Sequence, residues 1–483
     1  MNSEILNYLQ RTPGFKVYQK SFTETNNFAF AIVRKDAEEY LIVTGESYLT
    51  DKFDGEVEGA VKICPLSHKN RLAVNEIFPF TCPRAAGRES VSIGLGDRLG
   101  LANYAHLRCI ENKKVFPVIA QQSKRELDLT NRTYEDVLDS AVWSVCKAGW
   151  RHGFGADGDH LKTIEDIRYA LSCGFSMITL DCSDAIGSVP DTRNKLTDAY
   201  EKIPAVERWR MEAVYLPYED SYRLGISYTP DSLMEIAVCY YQCILLAEKV
   251  YFEEIVKTGR TIDLEISLDE TQLATSPEAH FFVANELRSR GVVITSLAPK
   301  FVGEFQKAVD YKGNLYDFER HYASHCRIAD HFGHKISIHS GSDKFSIFPI
   351  VGEHSSKRMH LKTSGTSWLE AVRVISMYEP DLYRRMHRNA LKHLDGARKY
   401  YDVHADITKI PPLDETPDEL LPEYLNHDDS RQLLHITYVY QLSDPEIRRG
   451  LFDALNRYYC EYINILGAHI EKHISLLKIA DRD

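Results

Sequence analysis

No stretch of this chain approaches the run of roughly 18 to 20 apolar residues that a membrane-crossing helix needs. Met1 to Arg11 also lacks a basic segment followed by an apolar one, so the expectation is a cytoplasmic protein without membrane partners. Basic residues are in deficit, 58 Lys and Arg against 70 Asp and Glu, for a formal charge of -12. That balance argues against nucleic acid, whose binding draws on clustered cations. Cys-x-x-Cys pairs are missing: ten cysteines lie scattered, and Cys239 and Cys243 sit at i, i+4 in a helical pattern. Reduced, mostly buried thiols are expected. Nucleotide signatures are missing too. Gly94, Gly96 and Gly100 form G-x-G-x-x-x-G, one residue longer than the dinucleotide fingerprint, and no P-loop occurs, which excludes nicotinamide and ATP cofactors. Ser340 to Lys344 and Thr363 to Ser367 are rich in hydroxyls and glycine, yet neither is a G-x-S-x-G nucleophile elbow.

What is present is length and alternation. At 483 residues the chain exceeds one compact core. β-like runs interrupted by charges, such as Phe28 to Val33 and Tyr40 to Thr44, mark a small mixed α/β cap over 1–88. Over 89–370, eight candidate strands alternate with amphipathic helices: Val91 to Gly94, Phe116 to Ala120, Gly153 to Ala156, Met177 to Leu180, Ile262 to Leu268, Val292 to Leu297, Lys335 to His339 and Met359 to Lys362. The pattern predicts an α/β fold, a (β/α)8 TIM-type barrel, with an open doubly wound sheet as the alternative. An insertion at about 185–230 is long enough for a lid. Residues 371–483 carry helical spacing over Arg385 to Tyr401 and Ile447 to Leu477, a helical extension packing on the barrel or on a second subunit.

Polar, reactive residues follow nearly every candidate strand, including Asp97 and Arg98, Gln121 and Lys124, Asp181 and Asp184, Asp269 and Glu270, and Lys362 to Ser364. In a barrel such loops converge on one mouth. The densest group, Asp157, Asp159, His160 and Lys162, reads as a site on a turn after the third strand. Lys335, Ser337 and His339 share one face of the seventh strand, and Asp263, Glu265 and Ser267 one face of the fifth. Those faces point inward, which makes Glu265 a candidate acid or base and His160 and His339 candidate ligands for Mn, Fe, Co, Ni or Zn. Glu304 and Gln306 both offer an oxygen to the same ion. His321, His325, His331 and His334 read as surface or supporting histidines. The loops after the last two strands suit a carboxylate or phosphate, with Lys344 assisting.

Three stretches, Gly155-Ala156-Asp157-Gly158-Asp159-His160-Leu161-Lys162, Ser296-Leu297-Ala298-Pro299-Lys300-Phe301-Val302-Gly303-Glu304 and Ile338-His339-Ser340-Gly341-Ser342-Asp343-Lys344, resemble the tagaturonate epimerase family, and the order of motifs agrees across the chain. The resemblance implies a divalent metal-dependent isomerase of hexuronate catabolism that interconverts D-tagaturonate and D-fructuronate. Related enzymes act on tagatose and fructose. Carried over, it makes Asp159 the proton acceptor, Glu265 the proton donor, and His160, Gln306 and His339 the metal ligands, with Glu304 as rival to Gln306. Arg98, Lys162, Asp343 and Lys344 would bind substrate. The two uronates differ at a hydroxyl-bearing carbon β to the ketone, which α-proton abstraction does not invert; retro-aldol cleavage and re-addition would. The competing readings are a ketose 4-epimerase, aldolase or isomerase acting on neutral or phosphorylated sugars, and, in a different class, a non-catalytic sugar-binding barrel.

Overall fold

Eight parallel strands close into a barrel in the computed structural model, which describes residues 3–220, 223–269, 271, 273–355, 357–363, 365–401 and 403–482. The strands are β1 (Val91–Leu95), β2 (Phe116–Ser123), β3 (Gly155–Leu161), β4 (Met177–Asp181), β5 (Asp263–Leu268), β6 (Ser296–Pro299), β7 (Lys335–Ile338) and β8 (Met359–Thr363). Each pairs with its sequence neighbours, and β8 closes on β1 with Lys362 opposite Gly94. The eight strands expected from the sequence are thus the barrel. Glu270 and Ser364 lie outside the described residues.

Two strand limits differ from expectation. β6 starts at Ser296; Val292 and Ile294 are buried in the segment that leads into it. β3 runs on to Leu161, so Asp157, Asp159 and His160 stand on a strand and not on a turn. Against β4, the three steps from Gly158 to Leu161 match two from Ile178 to Leu180. The extra residue is a bulge, with His160 at φ 56°. Strict alternation would send Asp159 and His160 to opposite faces; the bulge lets both reach the barrel mouth.

The glycines that mimic a dinucleotide fingerprint serve packing. A Cβ on Gly94 would meet Gln121 Oε1 at 1.6 Å, so the missing side chain is the space the Gln121 amide occupies inside the barrel.

An antiparallel N-terminal sheet centred on Phe28–Lys35, Glu38–Gly45 and Val61–Pro65 packs beside the barrel. Phe28, Phe30 and Ile32 join the main core, while Ala29, Ala31 and Val33 face the helix Ser3–Arg11, the period-two split of a sheet covered on both faces. The helices Pro380–Ala397, Pro445–Arg457 and Tyr459–Leu476 form the C-terminal extension, and the last packs on the barrel helices Asn103–Cys109 and Thr366–Tyr378.

Among the described residues, none of the 185–230 insertion lines the mouth of the barrel. Its helix Ala205–Tyr215 is fastened to the outer helix Pro277–Ser289 through Arg210 and Tyr215, both bonded to buried Glu286. All ten cysteines are free, six of them buried. Among the described residues no helix is long and apolar enough to cross a membrane.

Candidate active site

A cavity of about 590 Å³ opens at the C-terminal ends of the strands. Arg98, Gln121, Asp159, Asp181, Asp269, Lys307, His339 and Lys362 all line it, one from each strand or the loop that follows it. The polar loops therefore converge, as barrel topology requires. A second cavity of about 520 Å³ adjoins the first across Asp269 and His339 and reaches Glu304 and Gln306. Tyr400 and Tyr401, from the C-terminal region, wall both cavities.

The floor is built around one ammonium. Lys362 Nζ lies 2.7 Å from Asp157 Oδ2, 2.6 Å from Asp159 Oδ1 and 3.1 Å from Glu265 Oε1, and also bonds the Thr179 hydroxyl. The registers that place Thr179 beside Glu265, and Glu265 beside Ser296, make this possible. Burial disfavours the charge on Lys362, and the three carboxylates overcome it, holding the pKa well above the ordinary lysine value. Burial likewise pushes the Asp159 carboxyl up, but Lys362 and His160 hold it well below the usual range. Asp157 is pushed up to about 6, because burial and the neighbouring carboxylates Asp159 and Glu265 outweigh Lys362. Of the two aspartates, Asp159 is the one that stays ionised and faces the cavity.

Above this floor, ligand atoms of His160, Asp269 and His339 lie within 4.8 Å of one another. His160 Nδ1 donates to Asp159 Oδ1 at 2.8 Å, which leaves Nε2 as the ring atom with a lone pair for a metal. His339 Nε2 donates to Glu265 Oε1 at 2.7 Å, and its Nδ1 lies 3.0 Å from Asp269 Oδ1. A carboxylate behind a ligating imidazole is the usual support of a metal centre. Burial disfavours the charged imidazole, yet Asp269 and Glu265 bring His339 to about 10; Asp159 raises His160 against the same effect. The pair of imidazoles, with ring centroids 4.7 Å apart, sits in a strongly negative field.

The remaining sequence candidates divide. Lys162 lines the cavity, bonded to Ser183 and Asp184. Arg98 also lines it, but both Nε and Nη2 bond Glu126 Oε1 and Nη1 bonds the His435 carbonyl. Asp97 accepts backbone N–H bonds from Leu99 to Asn103 and caps the turn into the next helix.

Lys344 and Asp343, expected to bind substrate, are turned inward. Lys344 is fully buried and donates to the carbonyls of Gln306, Val309 and Ser342, while burial lowers its pKa to about 7. Asp343 joins Arg431 at 2.6 Å and His469 at 2.5 Å, tying the loop after β7 to the C-terminal helices. Glu265 is fully buried and absent from the cavity wall; it accepts from Ser296, His339 and Lys362, and their charges outweigh burial to hold it well below the usual carboxylate range. Glu265 meets the cavity through Lys362 and His339, which both line it. Gln306 Oε1 accepts from Gln432 and its Nε2 donates to Glu304.

Two residues without an assigned role in the sequence reading are central. Asp269 follows β5 directly, where the polar series did point. Lys362 stood there only among the polar residues that end the last strand, though its place on the inward face of β8, opposite Gly94, was the available signal. Of the histidines read as surface or supporting, His325 and His334 are buried and hydrogen-bonded through His280.

A family sequence model described as tagaturonate epimerase matches residues 18–477. A Thermotoga maritima protein named tagaturonate/fructuronate epimerase is 39% identical over 474 residues, covering 96% of this chain and 97% of its own. The native crystal structure of fructuronate-tagaturonate epimerase UxaE from Cohnella laeviribosi matches with a TM-score of 0.95 at 43% identity, over 99% of each chain. A structure of that protein with one glycerol bound matches equally well.

Proposed function

The chain belongs to the tagaturonate epimerase family, and from that premise we propose that it interconverts D-tagaturonate and D-fructuronate with a divalent metal ion held by His160, Asp269 and His339. The observation that carries the reading is the meeting of those three side chains beside an ionised Asp159 at the barrel mouth. The donor set fits such an ion: two imidazoles and a carboxylate suit Mn, Fe, Co, Ni or Zn. So does the charge, since Asp157, Asp159, Glu265 and Asp269 outnumber the single ammonium of Lys362 among them. Gln306 and Glu304, on the adjoining cavity wall, are candidates for a further position.

Bound there, the ion would supply Lewis acidity toward the substrate ketone. The protein's own groups do the rest. Asp159 takes the proton from the hydroxyl on the carbon to be inverted. The bond from that carbon to its neighbour beside the ketone breaks, its electron pair passing into an enediolate and leaving an aldehyde. After the aldehyde turns, the bond re-forms on its other face. The new alkoxide takes a proton from Lys362, which recovers one from Asp159 across 2.6 Å. Glu265, which the resemblance made the direct donor, is assigned to holding Lys362 and His339 in place.

Metal-stripped protein incubated with tagaturonate, with Mn, Ni, Zn or Co restored in turn, should form fructuronate by NMR with at least one metal. No turnover with any of them would refute the proposal.

A further inference from the structure

The cations that line the mouth are mostly committed. Arg98 is paired with Glu126, Lys124 with Asp128, Lys162 with Asp181 and Asp184, and Lys362 with the floor carboxylates. Arg125 differs. It lines both cavities, donates from Nη1 to the Tyr400 carbonyl at 3.2 Å and lies 4.8 Å from the Tyr401 ring centroid. Among the described residues no carboxylate lies within ion-pair distance of it. With one N–H spent on that carbonyl, the guanidinium keeps further donors in the planar fork that matches a carboxylate.

We propose that Arg125 binds the carboxylate of the sugar acid and thereby makes the site select a hexuronate over the corresponding neutral ketose, an inference that rests on the epimerase reading above. The reacting carbons of a six-carbon sugar acid lie at one end, where Asp159, His160 and His339 stand, and its carboxylate at the other. Arg125 faces the same cavity as those three residues. Lys307, whose Nζ donates to Ser340 Oγ at 2.8 Å beside His339, adds positive potential between them. Arg125 makes no contact with the floor, so it acts on binding and leaves the proton chemistry untouched.

The test is a comparison of tagaturonate with D-tagatose in the metal-loaded wild type, Arg125→Met and Arg125→Lys. Loss of a charge-assisted, forked contact should raise KM for tagaturonate roughly 10- to 100-fold in Arg125→Met with kcat within about threefold, and Arg125→Lys should recover part of it. Tagatose turnover should be unchanged by either substitution. Parallel losses on both substrates, or an unchanged KM for tagaturonate, would overturn the assignment. Calorimetric titration of tagaturonate separates the two readings. A wild type that binds without turnover ends the epimerase proposal, while Arg125→Met then decides the anchor by losing that binding or keeping it. A wild type that binds no tagaturonate overturns both.

Discussion

Acid should unfold this protein earlier than its carboxylates alone would dictate, because a chain of imidazoles in its interior has no room for extra protons. His334 Nε2 lies 2.9 Å from His280 Nε2, His280 Nδ1 2.9 Å from His325 Nδ1, and His325 Nε2 3.1 Å from the Thr275 carbonyl. A carbonyl only accepts, so His325 Nε2 carries its proton and its Nδ1 is bare. His280 must then donate from Nδ1 and accept at Nε2, and His334 must donate from Nε2. Every imidazole in the chain is neutral with a fixed tautomer, and a second proton on His280 or His325 would set N–H against N–H. Burial depresses all three, His334 to about 3 with Arg88 and Arg358 adding to the effect, and His321, also bonded to the Thr275 carbonyl, shifts the same way. With folded pKa values below the unfolded one of about 6.5, the unfolded state binds more protons as pH falls, so stability is lost from about pH 6.5 downward until the folded values are reached. Each such histidine costs about 1.4 kcal/mol by about pH 5.5, and three cost about 4 kcal/mol, a large part of a stability of roughly 5–15 kcal/mol. Urea midpoints followed by tryptophan fluorescence at about pH 7.5 and pH 5.5 read this directly. In His280→Gln and His334→Gln the acid-induced loss should shrink by about 1.4 kcal/mol each, even if both are less stable at neutral pH. The same loss in wild type and variants would refute the reasoning.

Two further outcomes follow from the site. Lys362→Met leaves three buried carboxylates without their shared cation, which should cost about 3–5 kcal/mol of stability and abolish turnover; thermal melts and NMR assays check both, and a stable, active variant would contradict the floor as described. Asp269→Ala should lower metal affinity by more than roughly 100-fold, since even outer supports of a metal centre are worth 10- to 100-fold, while Glu304→Gln, at most a further position, should lower the metal content measured by atomic emission far less. The reverse ranking would move the ligand set to the loop after β6.

The barrel was legible because its strands announce their faces. Asp263, Glu265 and Ser267 alternate with Leu264, Ile266 and Leu268, and Lys335, Ser337 and His339 with Ile336 and Ile338, and in both cases the polar face turns inward. The bulge in β3 was not legible, since one extra residue exists only relative to β4. Asp343 and Lys344 misled for a related reason. A Gly- and Ser-rich loop looks like an exposed anion cradle until His469, 126 positions later in the chain, lands on it. His325 likewise looked peripheral because its partner His280 stands on a different helix, 45 positions earlier. Arg125 gained meaning only when Tyr400 and Tyr401 arrived from the far end of the chain.

What unites these cases is a division of labour inside the barrel. A lysine buried among three carboxylates is a poor way to stabilise a core, because desolvating the charges consumes much of what their attraction returns. Apolar residues of similar volume at Asp157, Glu265 and Lys362 would fill the same layer, with the leucines and isoleucines on the outward faces left as they are. They would not hold Asp159 ionised against its own burial, nor fix His339 with Nε2 toward Glu265 and Nδ1 toward Asp269. The polar floor is therefore a cost the fold carries to keep the Asp159 carboxylate charged and an imidazole aimed at one place, the bulge in β3, where Asp159 and His160 face the cavity together.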